Sequence, residues 1–516
     1  MKEKLKDRYL ILAMFFVVFG IVIILQLVNL QIIHGKEYDE ASQRKVLRER
    51  KVTAPRGNIL DRFGVPIAVN RQGFTVHIVK TDTSTDEFNA ALLRLVNILE
   101  KNNETYNRKL GKILSFNPVT FNGKSSGDIK KWQMDKDILG LKENELLDSP
   151  GAVFEYLRTT KFKIGKKYTD EEAYKIMTLQ YEILLDKWKF DTGNSLCLAR
   201  DIKPETVAEI EEKHHLLPGI STDIEPVRKY LDSQLAAHVI GYVRGINAEQ
   251  FERLQSEGYG RNDIIGQTGI ELAAERYLRG MDGQRKVEVD TSGRLTDELY
   301  GKPAIPGNDV VLTLDMNLQK VAMESLERNI KLIREKGGKN NFGDANAGAV
   351  VALDVNSGEV LAMASYPSYD PAIFLAGADN KEAQKAIAAL SDPENDSTSE
   401  FNRAIQGAYA PGSTFKPITA IAALEEGIIT TDTEIIDDGH ENIGNWDFYC
   451  LEYKMGLGAH GRLKLERALA TSCNIYFHVI GFRTGIDKID KWGKLFGLGE
   501  FSGIDIPGER KGIRAK

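Results

Sequence analysis

Cysteine is scarce in this chain: 516 residues carry only Cys197, Cys450 and Cys473. An odd count spread this widely excludes a disulfide framework, and no two of the three stand at metal-ligand spacing, so free thiols are expected. An excess of charge of one sign is also missing, since 28% of residues are charged yet the net charge is only -6. That excludes the positive field a phosphate backbone requires, and with it nucleic acid as a partner. No internal repeat is present.

Long apolar runs are confined to one place. From Tyr9 to Ile33 there is no charged side chain, and Leu10 to Leu25 is almost purely aliphatic and aromatic, long enough to cross a bilayer as a helix. A cleaved signal would have a shorter core followed by small residues. This run instead ends in Gln31-Ile32-Ile33-His34, which favours an uncleaved anchor over residues 9–33 behind a cytoplasmic tail, 1–8. Lys2, Lys4, Lys6 and Arg8 precede the span, while Lys36, Arg44, Lys45, Arg48, Arg50 and Lys51 follow it. Charge counting points weakly against an exported body, but large domains translocate regardless of flanking charge, so composition leaves the side open.

The length predicts more than one domain. Thr53 to Asn70 reads as strand, turn and strand. Phe88 to Leu99 has helical spacing, and Lys203 to Leu217 is a helix punctuated by Pro204 at its start and Pro218-Gly219 at its end. Between them, residues 103–195 are charge-rich and weakly periodic, and are expected to form a solvated helical insertion. Pro303, Pro306 and Gly307 mark a boundary. Beyond it come a strand Val310–Leu314, a helix from Asp315 to Gly337-Gly338, and a hairpin of Ala349–Leu353 and Val360–Ser365 around Asn356-Ser357-Gly358. From Ala404 the pattern is mainly helical. The expected class is α+β, with an antiparallel sheet and helices in the second domain.

Two places match Ser-x-x-Lys. Ser42-Gln43-Arg44-Lys45 lies in a charged juxtamembrane stretch and reads as a solvated helix face. Ser413-Thr414-Phe415-Lys416 follows Ala410-Pro411-Gly412 and enters an apolar helix, with Pro417 tolerable in or beside the first turn. A serine there has free backbone NH groups beside it, and the lysine three residues on shares its face. Serine is a weak nucleophile until a base takes its proton, and a lysine serves only if its pKa is lowered. The plain alternative is a helix-capping serine with a lysine reaching for water. The same choice arises at Ser472-Cys473-Asn474. In a non-helical connection Ser472 and Asn474 share one face, where Ser472 would relay a proton and Asn474 hold a substrate amide and the lysine, while Cys473 packs inward.

Taken together these segments resemble class B penicillin-binding proteins, in which Ser-x-x-Lys is joined by Ser-x-Asn and a later Lys-Thr-Gly. The run from Phe401 to Pro417 is similar to the family's nucleophile segment almost throughout. So are Gly348 to Asp354 with Ser365-Tyr366-Pro367, Gly458-Ala459-His460-Gly461 leading to Ser472, and Phe496-Gly497-Leu498-Gly499 leading to Gly503 to Glu509. Arg56-Gly57 with Asp61-Arg62, and Gly266 to Glu271 with Leu278-Arg279-Gly280, resemble pedestal motifs of the elongation-type branch. Arg56, Asp61, Arg62 and Glu271 are expected to be structural.

The resemblance implies a membrane anchor, an elongated dimerisation-like pedestal over 34–309 carrying the insertion, and a transpeptidase domain over 310–516. It implies a serine D,D-transpeptidase with Ser413, Lys416, Ser472 and Asn474 catalytic and with no metal or cofactor. It also implies a catalytic domain outside the cell. Implied partners are peptidoglycan stem peptides, β-lactams, the membrane, a glycosyltransferase and elongation or division machinery. Cysteine replaces the family's aspartate at Cys473. More consequentially, the third motif belongs on a downstream strand, and the chain reads to Lys516 without it. Arg483-Thr484-Gly485 lies too close behind Ser472, in a helical pattern. A C-terminally truncated domain is therefore expected, short of half its oxyanion hole and of the edge that docks the substrate carboxylate. Three other readings share parts of this pattern. One is a class A enzyme, which needs paired glutamates in a lysozyme-like setting that Lys36 to Asp309 does not offer. Another is a carboxypeptidase or β-lactamase that sends water to the acyl-enzyme. The third is an anchored, catalytically incomplete scaffold or sensor.

Overall fold

The computed structural model describes residues 2–34, 47–122, 125–260, 263–289, 295–336, 343–375, 381–390, 398–443 and 445–514. The Ser42 to Lys45 motif and the Gly337-Gly338 helix stop lie outside them. The chain begins with helix Lys2–Val28, continued by a π-helical turn, Asn29–Ile33. Within it Leu12–Ile33 has a mean hydropathy of 2.6 and no surface buried against the protein. At 1.5 Å per residue, 22 residues reach about 33 Å, the thickness of a bilayer's hydrocarbon core.

The chain divides into two compact units that interleave in sequence: Met1–Ser233, Ala274–Leu312 and Pro371–Ala389 form one, and Gln234–Ala273, Thr313–Asp370 and Leu390–Lys516 the other. In the first unit the long strand Pro66–Ile78 pairs antiparallel with Ile220–Tyr230 from Ala68↔Tyr230 to Ile78↔Ile220. Its other edge takes Ile59–Leu60 and Leu196–Ile202. The expected strand Val310–Leu314 is shorter, Val310–Val311, and runs parallel to Ile59–Leu60. Helix Thr85–Lys101 starts at a capping box of Ser84 and Glu87, which satisfies backbone donors left free in a first turn.

The insertion differs from its expectation as a solvated segment. Leu110, Leu114, Val153, Leu157, Ala173, Ile176, Met177 and Leu179 have no exposed surface, and they join Leu92, Leu95 and Leu99 in one core. Capping boxes at Ser125/Asp128 and Thr169/Glu172 start two of its helices. The charged residues face water, and their density hid a buried stripe carried by several short helices rather than one long one.

Arg56, Gly57 and Asp61 act through geometry. A Cβ on Gly57 would lie 1.8 Å from the Asn308 carbonyl oxygen, so only glycine permits this approach. Arg56 pairs with Glu275 at 2.8 Å with both side chains only 11% exposed. Asp61 Oδ1 accepts from the amides of Phe63 and Val65 and closes the turn between strands.

In the second unit, Gly348–Leu353 and Val360–Tyr366 form the antiparallel hairpin. Helix Met316–Lys336 lies beside it, started by Asp315, whose Oδ1 accepts from the amides of Asn317 and Leu318. Buried Gln319 ties them, donating to the Leu235 and Met363 carbonyls and accepting from the Met363 amide. Further along, helices Lys416–Glu425 and Asn474–Thr484 enclose a core of Ala420, Ala423, Leu463, Ala468, Ile475, Tyr476 and Ile480. Here the mainly helical expectation missed two strand pairs, Ile435–Asp437 with Gly461–Leu463 and His440–Ile443 with Trp446–Tyr449. Strands of three or four residues are too short to display a period of two.

Candidate active site and a neighbouring ligand cluster

The segment leading to Ser413 is fastened before it reaches the site. His238 Nε2 lies 2.7 Å from the Ser399 carbonyl, and the edge of its ring meets Tyr369. Buried Asn402 donates to the His238 carbonyl and accepts from Ser365 Oγ. With no water to compete, such bonds hold the backbone at one place. Burial and the nearby Arg403 push the His238 pKa down to about 4, against the pull of the Ser399 bond.

Ser413 stands, exposed, in the 3-10 turn Gly412–Phe415. Helix Lys416–Glu425 follows, with Pro417 in its first turn, where a missing NH leaves no hydrogen bond unmade. Lys416 Nζ donates to three oxygens: the Ser472 carbonyl at 2.6 Å, Ser472 Oγ at 3.0 Å and Asn474 Oδ1 at 2.7 Å. Those acceptors match the three donors of an ammonium. Phe477 lies beneath it, 5.5 Å from Nζ to the ring centroid. Burial lowers the lysine pKa, opposed by Cys473 and Cys450. The structure thus brings Lys416, Ser472 and Asn474 into contact, and places Ser413 one turn ahead of Lys416.

Ser472 is held in an unusual backbone conformation, with φ 51°. The Cys473 amide bonds the Ala468 carbonyl and the Ser472 amide bonds the Leu469 carbonyl, both at 3.0 Å. This is the Schellman ending of helix Leu465–Ala470, and the left-handed position within it normally belongs to glycine. Asn474 is the first residue of its helix and Cys473 is the N-cap, its sulfur accepting from the Tyr476 amide. Arg483-Thr484-Gly485 ends that same helix.

Sequence spacing missed a second group. Asp437, Cys450, His460 and Cys473 offer ligand atoms that all lie within 4.8 Å of one another. His460 Nδ1 is 2.7 Å from Asp437 Oδ2 and 3.1 Å from Cys450 Sγ, and Cys473 Sγ is 3.2 Å from Asp437 Oδ2. His460 Nε2 lies 3.2 Å from Glu452 Oε1. A tetrahedral ion 2.0–2.3 Å from its ligands separates them by about 3.2–3.8 Å, and two sulfurs with one imidazole suit zinc. Burial raises the Asp437 pKa, but hydrogen bonds from His460, Cys450, the Gly439 amide and Cys473 bring it down to about 2. Burial pushes the Cys473 thiol up to about 12. Cys197, Cys450 and Cys473 are free, as expected; what sequence spacing did not show is that two of them meet Asp437, at the end of strand Ile435–Asp437, and His460, because the four residues are far apart along the chain.

Residues 51–312 match the penicillin-binding protein dimerisation domain family, and residues 348–516 the penicillin binding protein transpeptidase domain family. The chain belongs to the penicillin-binding proteins. More particularly, it is 27% identical to the peptidoglycan D,D-transpeptidase MrdA of Acinetobacter baumannii, over 99% of this chain and 62% of that protein. It is 28% identical to MrdA of Escherichia coli K12, over 95% and 62%, and 31% identical to penicillin-binding protein 3 of Bacillus subtilis, over 73% and 52%. It therefore spans about 62% of the length of the MrdA relatives. Among solved structures, one described as structural coordination of polymerization and crosslinking by a peptidoglycan synthase complex matches with a TM-score of 0.58 and 26% identity, over 99% of this chain and 70% of that one. A complex between penicillin-binding protein PBP2 and MreC from Helicobacter pylori shares the fold at a TM-score of 0.58 and 23% identity, over 90% of this chain and 69% of that one.

Proposed function

We propose that this chain is a membrane-anchored peptidoglycan D,D-transpeptidase of the elongation type. The observation that carries the reading is the lysine held by Ser472 and Asn474 one turn after Ser413. Ser413 Oγ attacks the carbonyl carbon of a D-Ala-D-Ala amide as Lys416, in its neutral form, accepts the hydroxyl proton. The carbon–nitrogen bond breaks, and the proton passes through Ser472 Oγ to the departing D-alanine amine. Asn474 holds both the lysine and the substrate amide. The amine of a second stem peptide then attacks the ester, forms the crosslink and releases Ser413. Burial of Lys416 favours the neutral amine that the first step needs.

The substrate lies outside the cell, so the N-terminal tail is cytoplasmic and the body extracytoplasmic. Residues 34–309 act as pedestal and 310–516 as transpeptidase domain. The MrdA relatives, named as peptidoglycan D,D-transpeptidases, support peptidoglycan as substrate, and the structure of a complex that coordinates polymerization with crosslinking supports a polymerising partner. Intact-mass measurement after penicillin should show one covalent adduct. Its persistence in Ser413→Ala would sink the assignment. Lys416→Ala should slow acylation by about 10²–10⁴-fold, as for a lost general base.

We infer also that Asp437, Cys450, His460 and Cys473 hold a zinc ion in a structural role. Cys473 lies between Ser472 and Asn474, so the ion would brace the backbone on which those two residues stand. Metal analysis should return about one zinc per chain, and chelation should lower the melting temperature. A Cys450→Ser chain with wild-type metal content would refute the ligand set.

A further inference from the structure

Zinc coordination needs no second sulfur, since imidazole nitrogen and carboxylate oxygen also bind the ion. Two sulfurs in one set add a chemistry that the other ligands lack, because they can bond to each other. Of the three cysteines, Cys450 and Cys473 share the cluster, with ligand atoms within 4.8 Å and no exposed surface on either residue. Asp437 accepts a hydrogen bond from both thiols. Each cysteine stands at a helix N-cap, Cys450 ahead of Leu451–Lys454 and Cys473 ahead of Asn474–Thr484, with extended backbone at φ −68° and −62°. Outside the helix proper, neither side chain is confined to a helical rotamer. The elements that carry them are packed together nearby. Phe448, in the strand that leads to Cys450, stacks on His478 of the helix that Cys473 starts, with centroids 4.0 Å apart. A disulfide brings its sulfurs to about 2.05 Å, so the approach has to come from the two caps while the stack holds strand and helix.

We propose that Cys450 and Cys473 form a peroxide-sensitive dithiol: zinc joins them as thiolates in the reduced chain, and oxidation to a disulfide expels the ion and displaces the residues that hold Lys416. The inference rests on the zinc reading for its reduced state and on the transpeptidase reading for its effect. A body outside the cell places these thiols where disulfides form and persist. The cluster lies beneath Glu452, whose Oε1 is 3.2 Å from His460 Nε2 and whose side chain is 44% exposed, so a peroxide little larger than water has a short way in. One sulfur attacks a peroxide oxygen, the O–O bond breaks and a first water leaves behind a sulfenic acid. The other sulfur attacks it, the S–O bond breaks and a second water departs. Over both steps two electrons pass from the sulfur pair to the peroxide, two Zn–S bonds break and one S–S bond forms. Two protons from solvent complete the waters. The ion keeps only Asp437 and His460, half of its ligands, and is released. Cys473 lies between Ser472 and Asn474, whose bonds to Lys416 are 2.6–3.0 Å long. Drawing its sulfur toward Cys450 pulls on both neighbours, and a displacement of about 1 Å is enough to break those bonds and slow the chemistry by about tenfold or more.

The test compares the full chain in detergent micelles, loaded with zinc, before and after hydrogen peroxide. Peptide mapping without reduction should show a Cys450–Cys473 crosslink, and a chromogenic chelator should register release of the bound zinc. Penicillin acylation should slow by about tenfold or more, and dithiothreitol with zinc should restore it. Cys450→Asp keeps a carboxylate ligand but cannot form the disulfide, so its acylation rate, relative to its own untreated sample, should not respond to peroxide. Oxidation to sulfinic or sulfonic acid with no crosslink would overturn the proposal. So would a crosslinked chain that keeps its zinc or acylates at the untreated rate, or a Cys450→Asp chain as sensitive as wild type. An untreated chain that takes up no zinc sinks the zinc assignment and this proposal with it. One that takes up zinc yet forms no penicillin adduct sinks the transpeptidase reading, while crosslink and zinc release still decide the dithiol.

Discussion

Ser472 occupies a position where its side chain and its backbone have opposed requirements, and two substitutions separate them. At φ 51° a residue with a Cβ carries roughly 1–2 kcal/mol of strain that glycine does not. Ser472→Gly removes this strain, offset by about 0.5–1 kcal/mol of extra chain entropy in the unfolded state. Ser472→Ala keeps the strain. Both lose Oγ and its bond to Lys416, so that loss cancels in the comparison. The glycine variant should therefore be more stable than the alanine variant by about 0.5–1 kcal/mol. For a unit of this size that moves the melting midpoint by about 1–4 °C. Penicillin acylation should fall by a similar factor in both, because neither can pass a proton through Oγ. The assays are thermal unfolding of the full chain in detergent and the acylation rate measured on the same samples. An alanine variant as stable as glycine would refute the claim that helix Leu465–Ala470 imposes the left-handed conformation. Wild-type acylation in either variant would remove Ser472 from the proton path.

Other tests act elsewhere in the molecule. His238 takes a proton at about pH 6.5 when unfolded but only at about 4 when folded, so its contribution is complete above pH 6.5 and is lost as pH falls toward 4. The loss approaches about 3 kcal/mol. A non-titrating His238→Gln chain should show a correspondingly flatter stability profile between pH 6.5 and 4, and an unchanged slope would contradict the assignment. In the first unit, Arg56→Met takes the guanidinium away from a largely buried Glu275 and should cost up to about 3–5 kcal/mol. Adding Glu275→Met should restore part of that loss, as a double-mutant cycle by denaturant unfolding would reveal. Additive losses would mean the two side chains are uncoupled.

Much of the fold and site was legible because it is written in local signals. The apolar run through Ile33, Asp315 ahead of its helix, and Asn356-Ser357-Gly358 between two apolar strands each act over a few residues. The Ser413 to Lys416 spacing with Pro417 likewise set a turn and helix start that the tertiary structure had only to accommodate. The core of the insertion was not legible, since Leu114, Leu157 and Ile176 belong to separate short elements whose shared face exists only after packing. The same holds for the pairing of Lys416 with Ser472 and Asn474, residues more than fifty positions away. It holds again for the meeting of Asp437, Cys450, His460 and Cys473, and for the stack of Phe448 on His478. A sequence determines by itself what neighbours along the chain can settle: helix caps, turns, a membrane-length run, the residue types available for chemistry. Which distant side chains converge, and at what burial, depends on loop closures whose entropy is repaid only by the complete core, so only the tertiary structure decides it.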